Sequence, residues 1–388
     1  MKIDVFNEIQ NRGGGPAGPR FAQALEQAKL ADELGYGCWW QVEHHGAGEF
    51  SLSSAPELFL AALSQVTSRI RLGHAAVLAP ARFNHAVRVA ERAATLDHLS
   101  GGRVELGMTR STIPEWRLFN IDPADVRPQT AEAFELVPRL WTEDSVTHDS
   151  DTYRLDGVSA VPKPVQGPHP PLWQAAASPA SFEEAGRRGV GVLGTTFWES
   201  IERVERMVRL YREAAAACTE PVGRFVNDQV GFFTFVHCAE TDEQAMRNGA
   251  AAAAAWYTVT ALNFFEAGQD FVNGLERQKE LMAQSDGGGL AGEFHRAEEG
   301  AGPTPGQLLI GRILQGEDIP DDELFAILSE QQSLIVGSPE TCRKKLRAYA
   351  DLGIDRLMCL QQIGGLGHEE VMTSIRLTGE LIPEFDRS

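Results

Sequence analysis

"IRLGHAAVLAPARFNHAVRVAERAATLDHLSGGRVELGM" (residues 70–108) carries the rhythm that decides the fold. It opens with a strand-like run, "IRLGHAAVL" (70–78). An amphipathic stretch of helix length follows, "HAVRVAERAATLDHLS" (85–100), and then a second strand-like run, "GRVELGM" (102–108). Strand, crossover helix and strand in this order read as one βαβ unit with parallel strands.

The alternation repeats outward from there. Upstream, "KIDVF" (2–6) precedes a helix over 21–37 that ends on Gly35 and Gly37, and "CWWQVEHH" (38–45) precedes a helix over 56–67 with proline in its first turn. Downstream come a helix near 128–142, a loop-like stretch with "VPKPVQGPHPP" (161–171), and four more pairs. Their strands are "PLWQAAA" (171–177), "GVGVLGTT" (189–196), "VGFFTFVHCA" (230–239) and "DRLMCLQQ" (355–362). Their helices lie at 179–189, 199–217, 241–267 and 368–382. Eight βα pairs in order predict an α/β fold, a parallel sheet closed as a (β/α)₈ TIM barrel. The rival is an open doubly wound sheet, but no GxGxxG follows the first strand; "RGGGPAG" (12–18) lacks that spacing.

No boundary splits the chain, so residues 1–388 read as a single domain. Residues 268–333 break the rhythm with "SDGGGLAGEFHRAEEGAGPTPG" (285–306). This predicts a long mobile insertion after the seventh helix, on the catalytic rim.

Composition bounds the partners. Of 388 residues, 43% are apolar and 23% charged, and 35 basic against 54 acidic residues give a net charge of −19. That field opposes nucleic acid and anionic membranes, so a phosphorylated ligand needs a local cradle. Five cysteines without a CxxC pair indicate neither a disulfide framework nor a zinc site. The chain begins in a strand rather than a signal segment, and no apolar run reaches spanning length; a cytoplasmic location is expected.

In a barrel the chemistry sits where strands end. His44 and His45 end strand two, where imidazole suits proton transfer near neutral pH; the alternative is a pair of polar residues bonded to neighbouring loops. A metal role is not expected, because adjacent strand residues point apart and no third ligand has suitable spacing. Thr109 and Arg110 end strand four, where a guanidinium can grip a phosphate or form a rim salt bridge with Glu115. Ser178 and Ser181 open a helix, as an anion site or as simple capping. Ala75 and Ala76 end strand three, as a floor for a flat ring or as tight packing. Together they suit a planar, phosphate-bearing cofactor beside a proton-handling group.

The motifs "VEHHGAGEF" (42–50), "AAVLAP" (75–80), "GGRVELGMTR" (101–110), "VGSPETC" (336–342) and "LGIDRLMC" (352–359) resemble the bacterial luciferase-like flavin monooxygenases, especially the luciferase α-type subunit and alkanal monooxygenases. The resemblance runs in order over essentially the whole chain. It implies a barrel that binds reduced FMN, activates O₂ as a C4a-hydroperoxyflavin and oxygenates a small organic molecule such as an aldehyde. A separate NAD(P)H:flavin reductase would supply the FMNH₂, and a homodimer, or a heterodimer with a luciferase-like subunit, is implied.

On this resemblance His44 is the catalytic histidine and His45 the second member of its motif. Arg110 holds the flavin phosphate, with Ser178 and Ser181 in the phosphate cradle. Ala75 and Ala76 lie under the flavin, at a non-proline cis peptide. Glu115 lies near an acidic position on the mobile-loop side, and Trp198 is a further substrate- or lid-side candidate. Thr109 stands where the α-type subunit has a reactive cysteine, and Ala177 where a carboxylate borders the cradle. Two other functions remain open on the same barrel: F420-dependent hydride transfer, and a non-catalytic flavin-binding subunit.

Overall fold

Period-two alternation along the first strand, β1 (Lys2–Asn7), sends Asp4 and Phe6 inward, and Glu8 just beyond it continues that side. A computed structural model of the chain describes residues 1–283 and 303–386. After β1 come α1 (Ala17–Leu34), β2 (Cys38–Gln41), α2 (Pro56–Val66), β3 (Arg71–Leu78), α3 (Ala86–Ser100) and β4 (Val104–Thr109). Then follow α4 (Ile113–Leu118), α5 (Pro123–Thr142), β5 (Val146–Asp149), β6 (Arg154–Val158), β7 (Leu172–Ala175), α6 (Pro179–Arg188) and β8 (Gly191–Thr195). The remainder comprises α7 (Ile201–Ala216), β9 (Val230–Cys238), α8 (Asp242–Arg247), α9 (Ala250–Phe264), α10 (Gly268–Ala283), α11 (Pro305–Leu314), α12 (Asp321–Leu328), β10 (Leu334–Gly337), α13 (Pro339–Asp351), β11 (Arg356–Leu360) and α14 (His368–Gly379).

Eight parallel strands close the barrel in the order β1-β2-β3-β4-β7-β8-β9-β11, with β11 returning to β1. The fold is the expected (β/α)₈ TIM barrel, and its eight strands are those the alternation marks.

Local differences have physical causes. Strand two ends at Gln41, not at residue 45. Beyond it Ser53 takes over the backbone: its hydroxyl bonds the Val42 carbonyl at 2.6 Å, and its carbonyl accepts the His44 amide at 3.0 Å. The stretch read as loop between α5 and β7 contains an antiparallel hairpin, β5–β6, with Gly157 in the left-handed region at φ 65°. The alanine-rich helix is two helices, because Gly249 at φ 75° separates α8 from α9. Within 268–333 the described part is helical, as α10, α11 and α12, and β10 then pairs with the far end of β9. The glycine-rich part of that stretch, residues 284–302, lies outside the described residues.

The closed end of the barrel is plugged by charge. Arg356 reaches Asp4 at 3.1 Å and Glu105 at 3.4 Å, and Arg71 pairs with Glu105 from the adjacent strand. The indole N–H of Trp40 donates to Asp4 at 2.8 Å and that of Trp173 to Glu105 at 2.7 Å. Gly73 admits the Trp40 ring: a Cβ there would lie 2.2 Å from the indole. With charges and indole donors mutually satisfied, this layer can stay buried.

Candidate functional site

At the opposite end of the barrel the interior opens into a cavity of about 710 Å³, within the range of small-molecule sites. Residues of all eight strands, or of the segments just beyond them, line it. His44, Arg110 and Ser178, just beyond three separate strands, and Ser181 in the first turn of α6 all line this cavity, together with Ala75, Ala76, Thr109, Glu115, Ala177 and Trp198. His45 does not. Its ring turns outward, with Nε2 3.1 Å from the Glu43 carboxylate, and packs between Phe83 and Phe119. The two histidines therefore separate into one that faces the cavity and one that braces the loop.

Glu43 fixes that loop. Its carboxylate accepts the Leu78 amide at 3.1 Å and the Asn84 side-chain amide at 2.8 Å, tying the segment after β2 to the end of β3. Glu115, on the short helix α4, is buried and reaches both histidines. Its Oε1 accepts the His45 amide at 2.8 Å and lies 3.5 Å from His44 Nδ1, an ion-pair distance; its Oε2 accepts the Ser111 hydroxyl at 2.6 Å. Burial opposes a charge on His44, yet Glu115, with Glu8 and Glu43 beyond it, outweighs that cost and raises its pKa. Burial opposes the Glu115 charge too, but His44, Ser111 and the His45 amide hold its pKa below the ordinary value. The two shifts agree: the pair favours imidazolium and carboxylate. Phe50, Phe264 and Phe265 surround the imidazole at 5.4–5.6 Å between ring centres.

On the β3–β4–β7 side the wall is small and basic. The β3–β4 register shifts between His74 and Val77, and the Ala75–Ala76 peptide within that step is cis. Gly107 backs this floor, where a Cβ would lie 2.4 Å from the His74 carbonyl. Arg110, Arg127, Arg187 and Arg188 reach the cavity from the end of β4, α5 and α6. Glutamates balance part of this charge: Arg188 pairs with Glu184 at 2.9 Å, itself a lining residue, and Arg187 pairs with Glu183. At the N-terminus of α6 Ser178 and Ser181 form a reciprocal capping box: the Ser181 amide donates to Ser178 Oγ at 3.3 Å, and Ser181 Oγ accepts the Ser178 amide at 3.0 Å. The capping reading of these serines is thus correct. Their hydroxyls still border the cavity, where a helix N-terminus and guanidinium groups suit a phosphate. A small-residue floor beside guanidinium groups suits a planar ligand that carries an anionic group.

The β9–β11–β1 side is different. Phe6, Phe233, Met358 and, from α9, Tyr257 and Leu262 line it. Trp198 sits at the edge, fully buried at φ 52°, its indole N–H donating to Thr258 at 3.1 Å and its carbonyl accepting the Thr304 hydroxyl at 2.7 Å. Into this apolar wall Glu8 projects a buried carboxylate, which accepts the Tyr257 hydroxyl at 2.8 Å. Burial pushes Glu8 up to about 7, against the opposing pull of His44, Tyr257 and Gln10. The sequence reading missed Glu8 and Tyr257. The signal for Glu8 was present, since Asp4, Phe6 and Glu8 share one side of a period-two strand; nothing local marks Tyr257 within the alanine-rich helix. Among the described residues no group of three or more His, Cys, Asp or Glu side chains could hold a metal ion, and no helix is long and apolar enough to cross a membrane.

Comparison with known proteins supplies the class. The family described as luciferase-like monooxygenase matches residues 1–356, and the chain belongs to that family. A 4-hydroxyprotoasukamycin monooxygenase of Streptomyces nodosus subsp. asukaensis is 41% identical over 172 residues, 44% of this chain and 46% of the relative; the match thus spans about half of that protein's length. The oxygenase component of a flavin-dependent trigonelline monooxygenase from Acinetobacter baylyi is 24% identical over 371 residues, 95% of this chain and 91% of the relative. An F420-dependent glucose-6-phosphate dehydrogenase of Amycolatopsis mediterranei is 28% identical over 218 residues, 53% of this chain and 62% of its own. Among solved structures, monooxygenase RslO1 from Streptomyces bottropensis superposes with a TM-score of 0.73 at 26% identity, covering 99% of this chain and 100% of its own. The oxygenating constituent of 3,6-diketocamphane monooxygenase from Pseudomonas putida, in complex with FMN, also gives 0.73, covering 99% of each chain; at 18% identity that likeness shows the fold alone.

Proposed function

We propose that the protein is an FMNH₂-dependent monooxygenase that oxygenates a small organic molecule with O₂. One observation carries this reading: His44, Arg110, Ser178 and Ser181 line one cavity whose floor is Ala75 and Ala76. Bound FMN supplies the oxygen chemistry; the protein supplies position, dryness and protons. In this reading Arg110, Ser178 and Ser181, with the backbone at Ala177, hold the phosphate, while Ala75, Ala76 and Thr109 border the ring. His44, whose protonated form Glu115 favours, delivers a proton from its imidazole at the reacting end of the cavity. The aromatic wall excludes water, which protects a reactive oxygen species from wasteful breakdown.

The reductant comes from a separate NAD(P)H:flavin reductase. The name "oxygenase component" of the trigonelline relative supports that division of labour. The whole chain acts as one barrel domain in this reading, as a homodimer or beside a luciferase-like partner.

The deciding experiment titrates the purified chain with FMN, FMNH₂ and F420, then supplies FMNH₂, O₂ and candidate substrates. Tight FMNH₂ binding with oxygen-labelled product from ¹⁸O₂ is expected. A preference for F420 with hydride transfer and no oxygen uptake establishes the F420-dependent alternative instead. Flavin binding with no turnover of any substrate establishes a non-catalytic subunit.

A further inference from the structure

The side of the cavity formed by β9, β11, β1 and α9 is built of aromatic rings and a single charge. Phe6 and Phe233 stack at 4.2 Å between ring centres, and Phe197 stands edge-on to Phe233 at 4.6 Å and to Tyr257 at 5.4 Å. Phe197, Phe233 and Phe265 are half-buried and line the cavity, so ring surface is available to a ligand. Such faces suit a flat aromatic molecule, held by stacked or edge-to-face contacts.

Among the described cavity-lining residues of β9, β11, α9 and the β1 end, Glu8 is the one charged group. Its two oxygens are unequally served. Oε1 accepts the Tyr257 hydroxyl at 2.8 Å, whereas Oε2 has the Gln10 amide only at 3.5 Å, the long limit of a hydrogen bond. Gln10 cannot swing closer without loss, because its own carbonyl oxygen is bonded to the Gly364 amide on the neighbouring loop. A carboxylate amid aromatic rings, with one oxygen weakly served, favours a ligand that brings a donor. Where Glu8 is ionised, a carbonyl compound brings only an acceptor and leaves that oxygen unserved.

Resting on the flavin reading above, we propose that the substrate is a flat aromatic molecule bearing a hydroxyl group, whose O–H donates to Glu8 Oε2. Glu8 is then a specificity-determining residue. Tyr257 is a positioning residue that orients the carboxylate by holding its other oxygen.

The probe is naphthol, compared with its methyl ether and with naphthaldehyde, titrated by fluorescence into the FMN-loaded full chain at mildly alkaline pH. Naphthol is expected to bind about tenfold more tightly than the ether and the aldehyde. Glu8→Gln, whose amide oxygen is a weaker acceptor than the carboxylate, is expected to lose most of that preference, whereas Tyr257→Phe, which keeps the carboxylate but not the hydroxyl that orients it, is expected to lose the smaller part. A purely structural role for Glu8 would not separate the two variants in this way. FMN titration of the same proteins reports that the cavity is formed. Equal binding of naphthol and its ether by the wild-type chain, tighter binding of the aldehyde, or an undiminished preference in Glu8→Gln with FMN still bound overturns this inference alone. Failure of the wild-type chain to bind FMN overturns the flavin reading and this inference with it.

Discussion

Asp4 and Glu8 lie four residues apart on the same side of the first strand, and both are buried carboxyl groups, yet they live in opposite electrostatic company. Asp4 meets Arg356 at 3.1 Å and the Trp40 indole at 2.8 Å, in a layer where Glu105 shares the same guanidinium. Glu8 meets the Tyr257 hydroxyl, a distant amide and the rim of a cavity. Arginine stays charged at any accessible pH, so the closed end of the barrel is electrostatically fixed. Burial raises the Glu8 pKa to about 7, and histidine, tyrosine and an amide offset that only in part. A buried carboxylate is structural where a permanent cation faces it and available for chemistry where none does.

That contrast can be broken at either end. The largest effect belongs to the open end: His44→Ala is expected to lower the oxygenation rate by roughly two to four orders of magnitude, measured as labelled product per unit time. Turnover at the wild-type rate would remove His44 from the reaction. At the closed end, Arg356→Met leaves Asp4 and Glu105 buried beside each other without their shared cation. It is expected to cost about 3–5 kcal/mol of stability in urea unfolding, while folded protein still binds FMN. A cost near zero would show that the network is not what holds the closed end together.

A third test sharpens the assignment of the basic wall. Arg110→Ala is expected to weaken FMN binding by about 10- to 100-fold while leaving riboflavin, which lacks the phosphate, unaffected. Equal loss for both ligands would place the guanidinium elsewhere on the flavin. The smallest effect is in pH dependence. Glu8 rises from 4.5 to about 7 on folding, so its contribution is complete below pH 4.5 and is lost as pH rises through 7. The His44 pKa is also raised, and its contribution likewise falls as pH rises past the ordinary histidine value. Glu8→Gln is expected to flatten the fall in melting temperature between about pH 5 and 7. An unchanged profile would mean that Glu8 is not the titrating group.

The barrel was legible because its signal is periodic and repeated: eight apolar runs, each followed by a helix-length amphipathic stretch. The strand-end residues were legible for the same reason, since the C-terminal ends of barrel strands and the loops after them form one face. What failed was local. The pair His44–His45 reads as one motif, but the backbone turns after Gln41, and only three-dimensional neighbours decide which ring faces inward. The hairpin β5–β6 hid in a stretch rich in polar and turn residues, where two short exposed strands leave little apolar pattern. Tyr257 meets Glu8 across 249 residues of chain, a pairing that no window of sequence contains.

Glu115 joins two things that are usually separate. One of its oxygens holds the backbone of residue 45 and stands 3.5 Å from the His44 ring, and the residue itself rides on the six-residue helix α4. Because Glu115 favours the protonated ring, the placement of α4 bears on how strongly the imidazole keeps its hydrogen.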